Sequence, residues 1–110
     1  MFQSPTPTVG VAALPADGYL IDVREDDEWR AGHAPDAVHV PLSELMARAA
    51  EVPEDRDVYV ICKVGGRSEQ AVRYLNQLGR TTVNVAGGMM AWEAAGRPMV
   101  SEVGAKPFVA

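Results

Sequence analysis

The sequence predicts an α/β fold with a mainly parallel sheet, and three observations carry that prediction. Short β-branched, apolar runs alternate along the chain with stretches whose apolar residues recur at helical spacing. Two of the runs, Tyr19 to Val23 and Val58 to Ile61, are apolar almost throughout, the pattern of strands covered on both faces. Each gives way at its carboxyl end to polar residues, where open parallel sheets bind their ligands.

In chain order, residues 1 to 8 carry two prolines and no periodicity and form an extended lead-in, ending in an edge strand near Thr8 to Val11. One helical turn over Val11 to Leu14 and a turn at Pro15 to Gly18 lead into the strand Tyr19 to Val23. The acidic segment Glu25 to Arg30 is helix-like, with Glu25 to Glu28 expected to face solvent. Gly32 to Asp36 is a turn-rich connection, and Val38 to Val40 is a third short strand. Leu42, Leu45, Met46 and Ala49 then recur at helical spacing, which predicts a surface helix capped by Ser43. After the strand Val58 to Ile61, the stripe Ala71, Val72, Leu75 and Leu78 predicts a second helix, stopped by Gly79. Thr81 to Val85 is the next strand, Gly87-Gly88 a tight turn, and Met89 to Ala95 a short helix ending at Gly96 and Pro98. Met99 to Ala110 is weakly patterned.

A chain of 110 residues suits one modest core, so residues 1–110 are expected to form a single domain, its core at about 8–98, with 1–7 and 99–110 as terminal extensions. Apolar residues at 47% and charged residues at 23% are an ordinary globular balance, which excludes enforced disorder. The net charge of −5 without a basic cluster argues against nucleic acid as a partner. Neither a signal peptide nor an 18-residue apolar stretch is visible, so no membrane association is expected. One cysteine cannot form an intrachain disulfide, and the expected location is the cytoplasm.

The chemistry concentrates in the loop Cys62-Lys63-Val64-Gly65-Gly66-Arg67-Ser68. The glycines permit a positive φ, and Ser68 is a suitable N-cap for the helix that follows. Such a loop can aim several backbone N–H groups at one point with a helix N-terminus behind them, which stabilises an anion. A free thiol is only about 3% thiolate at pH 7, and these amides, with Lys63 and Arg67, should raise that fraction. Asp22, Arg24 and Gly87-Gly88 also follow strand ends, so a parallel sheet gathers them on the edge that carries Cys62. His33 and His39 with one cysteine lack metal-ligand spacing and are expected to be structural, and Trp29 and Trp92 are expected core aromatics.

Over roughly residues 18 to 98 the chain resembles a single-domain rhodanese, the sulfurtransferase homology domain. The matching features are Asp22-Val-Arg24, Glu28-Trp29 with Gly32-His33-Ala-Pro, Pro41-Leu-Ser-Glu-Leu45, Cys62-Lys-Val-Gly-Gly-Arg67-Ser68, and Gly87-Gly88, Trp92, Gly96 and Pro98. Asp36 departs from the glycine common in the family, and the tail beyond Pro98 is unaccounted for. The resemblance implies a three-layer domain, with helices flanking the sheet. It also implies that Cys62 accepts a sulfane sulfur from thiosulfate or a low-molecular-weight persulfide and passes it to a thiol or protein acceptor, with no cofactor and no metal. The amides of Lys63, Val64, Gly65, Gly66, Arg67 and Ser68 would hold the outer sulfur, Arg67 would add charge or bind an anionic donor, and Asp22 and Arg24 would support the site by ion pairing.

Two other readings stay open. A noncatalytic persulfide carrier or interaction module would share the same loop. Phosphatases of a related fold have five residues between cysteine and arginine; here four intervene, a smaller cradle suited to one sulfur atom.

Overall fold

The computed structural model describes residues 6–110; of the lead-in expected over residues 1 to 8, residues 1–5 lie outside them. Five parallel strands form one sheet in the order β1-β5-β4-β2-β3. They are β1 (Thr8–Gly10), β2 (Tyr19–Asp22), β3 (Val38–His39), β4 (Val58–Ile61) and β5 (Thr82–Ala86). The α-helices are α1 (Asp26–Ala31), α2 (Leu45–Arg48), α3 (Gly66–Gln77) and α4 (Gly88–Ala94).

The central strand β4 shows why its sequence is apolar at every position. Side chains alternate across a strand, and here both faces are covered. Val58, Val60 and Cys62 join Ile21, Val23, Leu45, Val72 and Leu75 in one core. Ile61, flanked by Tyr59, joins Leu20, Val85, Met89 and Trp92 on the opposite face. The result is three layers, with Cys62 just past the carboxyl end of the strand in the middle of the sheet.

Some elements differ from expectation, each for a local reason. The helix expected from Leu42 is broken into a 3-10 turn (Leu42–Glu44), the single α-turn of α2, and a second 3-10 turn (Ala49–Glu51). Ser43 does not cap it, because its hydroxyl donates to Glu25 Oε1 at 2.8 Å. Met46, expected on the apolar face, is exposed. Helix α3 starts two residues before Ser68: Gly65 is its N-cap, at φ +116°, while Gly66 has an ordinary helical φ. Ser68 therefore lies within the first turn, buried, and the positive φ expected of the glycine pair belongs to Gly65 alone. Gly79 stops α3 in the left-handed region, as anticipated. Trp92 is buried, whereas Trp29 is half-buried and stacks on His33 at 3.5 Å and His39 at 4.5 Å.

The weakly patterned tail is built into the fold. Val100 exchanges two backbone hydrogen bonds with His33, the Glu102 N–H donates to Arg30, and the Phe108 N–H donates to Ala31. Gly32 is required beneath it, since a Cβ there would lie 2.4 Å from the Phe108 carbonyl oxygen. The turn at Asp36 closes with the Ala37 N–H on the Ala34 carbonyl, and no non-glycine residue described takes a positive φ, so Asp36 replaces glycine there without strain. Among the described residues, no helix is long and apolar enough to cross a membrane.

Candidate active site

Cys62 follows β4, and its loop turns directly into α3. The thiol is 1% exposed. Its Sγ accepts the Gly65 N–H at 3.1 Å and lies 3.2 Å from Ser68 Oγ. Gly65 takes φ +116° as the N-cap of α3, a conformation that turns the loop into the helix and favours glycine there. Burial pushes the Cys62 thiol up most strongly. The Ser68 hydroxyl and the backbone amides of Ser68, Gly65 and Val64 together outweigh it, and the net shift is below the ordinary thiol value.

Ser68 is more than a donor to sulfur. Its hydroxyl lies 2.6 Å from Asn84 Oδ1 and 3.2 Å from the Gly65 carbonyl. One proton thus faces three acceptors. With a neutral thiol, S–H donates to Oγ and Oγ–H to Asn84; with a thiolate, the Ser68 proton turns to sulfur. Asn84 is a site residue that the strand pattern hid. The available signal was a buried amide in a strand covered on both faces, which must have a partner.

The loop is held from below by α4. The Met89 N–H donates to the Cys62 carbonyl at 2.8 Å and the Met90 N–H to the Lys63 carbonyl at 3.1 Å. This approach needs Gly88, where a Cβ would sit 2.4 Å from the Cys62 oxygen, and Gly88 and Gly87 both take a positive φ. Lys63 and Val64 form the outer wall, with Val64 largely exposed.

Arg67, expected to add charge beside the loop or bind an anionic donor, makes a bidentate pair through its guanidinium with Glu28 of α1, at 2.6 and 2.8 Å. The Glu28 side chain is only 17% exposed, so it is not part of a solvated acidic face. The Arg67 hydrogen bond dominates in holding the Glu28 carboxyl below its usual range, while Glu28 in turn raises Arg67. Glu28 also accepts the Glu25 N–H at 3.1 Å, completing a capping box that starts α1.

Asp22 and Arg24 lie beneath this arrangement, both fully buried. Arg24 donates to both Asp22 carboxylate oxygens at 2.8 to 3.1 Å, to the Gly32 carbonyl at 2.7 Å and to the Glu28 carbonyl at 3.4 Å. The pair thus holds α1 at the Glu28 carbonyl and at its C-cap, Gly32, beside the point where Glu28 meets Arg67. Neither side chain hydrogen-bonds Cys62. His39 Nε2 bonds the Arg24 carbonyl, and His33 bonds the Ala34 carbonyl and Glu102, so both histidines brace this support. Among the described residues, no three His, Cys, Asp or Glu side chains cluster as metal ligands. A cavity of about 250 Å³ lined by Leu14, Leu20, Tyr59, Trp92 and Arg97 includes no residue of the Cys62 loop.

A parallel α/β sheet whose central strand delivers a cysteine into an amide-lined loop defines a class: α/β domains that hold a cysteine at the carboxyl edge of the sheet, at the start of a helix. Within it, the chain belongs to the rhodanese-like domain family, whose model matches residues 9–95. A protein of Allochromatium vinosum named sulfurtransferase is 42% identical over 89 residues, covering 80% of this chain and 83% of its own. A Bacillus subtilis protein provisionally named sulfurtransferase YtwF is 44% identical over 80 residues, 73% of this chain and 78% of its own. Another from Bacillus subtilis, provisionally named sulfur carrier protein YrkF, is 42% identical over 74 residues, 66% of this chain and 40% of its own. The crystal structure of a rhodanese-related protein from Thermoplasma volcanium superposes with a TM-score of 0.81 at 34% identity, covering 86% of this chain and 97% of that one.

Proposed function

We propose that this protein is a sulfurtransferase that carries a sulfane sulfur as a persulfide on Cys62. One observation carries the reading: the only thiol lies at the floor of a loop whose Gly65 amide and Ser68 hydroxyl already contact its sulfur. The thiolate attacks the sulfane sulfur of thiosulfate or a small persulfide, the donor's S–S bond breaks, and sulfite or a thiolate leaves with the electron pair. The outer sulfur of the new persulfide, partly negative, extends along the loop, where the amides of Lys63 to Ser68 stabilise it. A thiol or cyanide acceptor then takes that sulfur and Cys62 returns as thiolate. Asp22 and Arg24 act by positioning α1. A reducing compartment such as the cytoplasm keeps the thiol available.

A second reading, a persulfide carrier serving a dedicated protein, is favoured by the relative named as a sulfur carrier and by the burial of Cys62. Thiocyanate production from thiosulfate and cyanide, beside sulfur transfer to a thiol acceptor, separates the two. Catalytic turnover that Cys62→Ser abolishes supports the enzyme; stoichiometric loading without turnover supports the carrier. Transfer that survives Cys62→Ser defeats both.

A further inference from the structure

We propose that Glu28 is a specificity-determining residue, which disfavours dianionic sulfur donors by neutralising the one arginine of the cysteine loop. The inference rests on the sulfurtransferase reading and names the donor class: persulfides that release a singly charged thiolate, rather than thiosulfate.

Arg67 is placed by sequence beside Cys62 and feels its charge. A free guanidinium there would attract an anionic donor and stabilise its leaving group. In this protein Nη1 and Nη2 each donate one N–H to the Glu28 carboxylate, at 2.6 and 2.8 Å, so the positive charge has a partner in place. The pair is partly buried, with side chains 35% and 17% exposed, so its charges are compensated locally rather than by solvent. Glu28 cannot easily swing away. Its Oε1 caps α1 at the Glu25 N–H, and its backbone carbonyl receives Arg24.

The chemistry makes the consequence selective. In the reaction of thiosulfate with the Cys62 thiolate, three negative charges meet and sulfite departs as a dianion. In the reaction of a neutral organic persulfide, only the thiolate is charged at the start and one thiolate departs. The neutralised Arg67 thus penalises the first donor more than the second. A pair broken by a dianion must also give up two charge-assisted hydrogen bonds, worth together enough to offset one new contact of the same kind.

The test compares thiosulfate with the persulfide of β-mercaptoethanol as donors to the wild type and to Glu28→Gln, with cyanide as common acceptor. Glutamine keeps the cap on Glu25 and one acceptor for Arg67 while removing the charge. The ratio of kcat/KM for thiosulfate to that for the persulfide should rise about tenfold, the size of one charge-assisted hydrogen bond. The rise should shrink with added salt and vanish in Glu28→Gln combined with Arg67→Gln. Glu28→Asp, which keeps the charge, should retain the wild-type ratio even if melting shows the helix weakened. A ratio unchanged in Glu28→Gln, with both donors slowed alike, would make the pair a structural clamp and overturn the proposal. If the wild type transfers sulfur from neither donor, the sulfurtransferase reading falls first and this inference with it.

Discussion

Replacing Ser68 with alanine isolates the hydroxyl that controls the charge on Cys62. The amides of Gly65, Val64 and residue 68 itself remain, so among the contacts to the sulfur the change removes only that of the hydroxyl, at 3.2 Å. A hydrogen bond to a charged group contributes about 1.5–3 kcal/mol. The thiolate gains this only by taking the proton from Asn84 Oδ1, 2.6 Å away, a neutral bond with a net worth of about 1 kcal/mol. The difference, roughly 0.5–2 kcal/mol, is on the order of one pKa unit. With burial less opposed, the Cys62 thiol in Ser68→Ala should titrate about one unit higher than in the wild type. The rate of alkylation by iodoacetamide against pH reports the midpoint, and the profile matters rather than the absolute rate, because the sulfur is buried. The variant also leaves the Asn84 carbonyl without its donor, at a cost of about 1–3 kcal/mol, so melting should be followed and the titration kept well below the transition. A midpoint equal to or below that of the wild type would refute the role given to Ser68.

The other predictions test the support around the loop. Gly88→Ala should lower sulfur transfer far more than stability requires, because its Cβ meets the Cys62 carbonyl at 2.4 Å and its φ of +54° is strained for any side chain; transfer rate and melting temperature measured together check this. Asp22→Asn leaves Arg24 buried without a counter-charge and should destabilise the fold by about 3–5 kcal/mol in urea unfolding, whereas a loss under 1 kcal/mol would contradict the assigned support. Glu28 has a folded pKa below its ordinary 4.5, so its pairing stabilises the fold above that pH and is lost as pH falls through the folded value. Melting temperature should therefore drop less for Glu28→Gln than for the wild type as pH falls below 4.5.

The sheet was legible because burial on both faces leaves a plain mark: Val58 to Ile61 has no polar position to spare, and the helix after it shows its Ala71, Val72 and Leu75 stripe. The cysteine loop was legible because a glycine pair between a strand and a helix has few other uses. What escaped detection depends on partners distant in sequence. Ser68 suits an N-cap, yet Gly65 takes that position, and the hydroxyl turns to Cys62 and Asn84 instead. Glu28 belongs to an acidic run that a solvated helix would also show, and only Arg67, 39 residues away, draws it inward. The tail has no periodicity because backbone bonds to His33, Arg30 and Ala31 hold it, and such bonds leave no trace in side-chain pattern.

Intact-mass spectrometry after exposure to a sulfane donor tests the central claim most directly. The wild type should gain the mass of one sulfur atom, lose it on treatment with cyanide, and show no gain as Cys62→Ser. A wild-type protein that stays at its original mass with both thiosulfate and a small persulfide, or a gain that persists in Cys62→Ser, would contradict the assignment of Cys62 as the sulfur carrier.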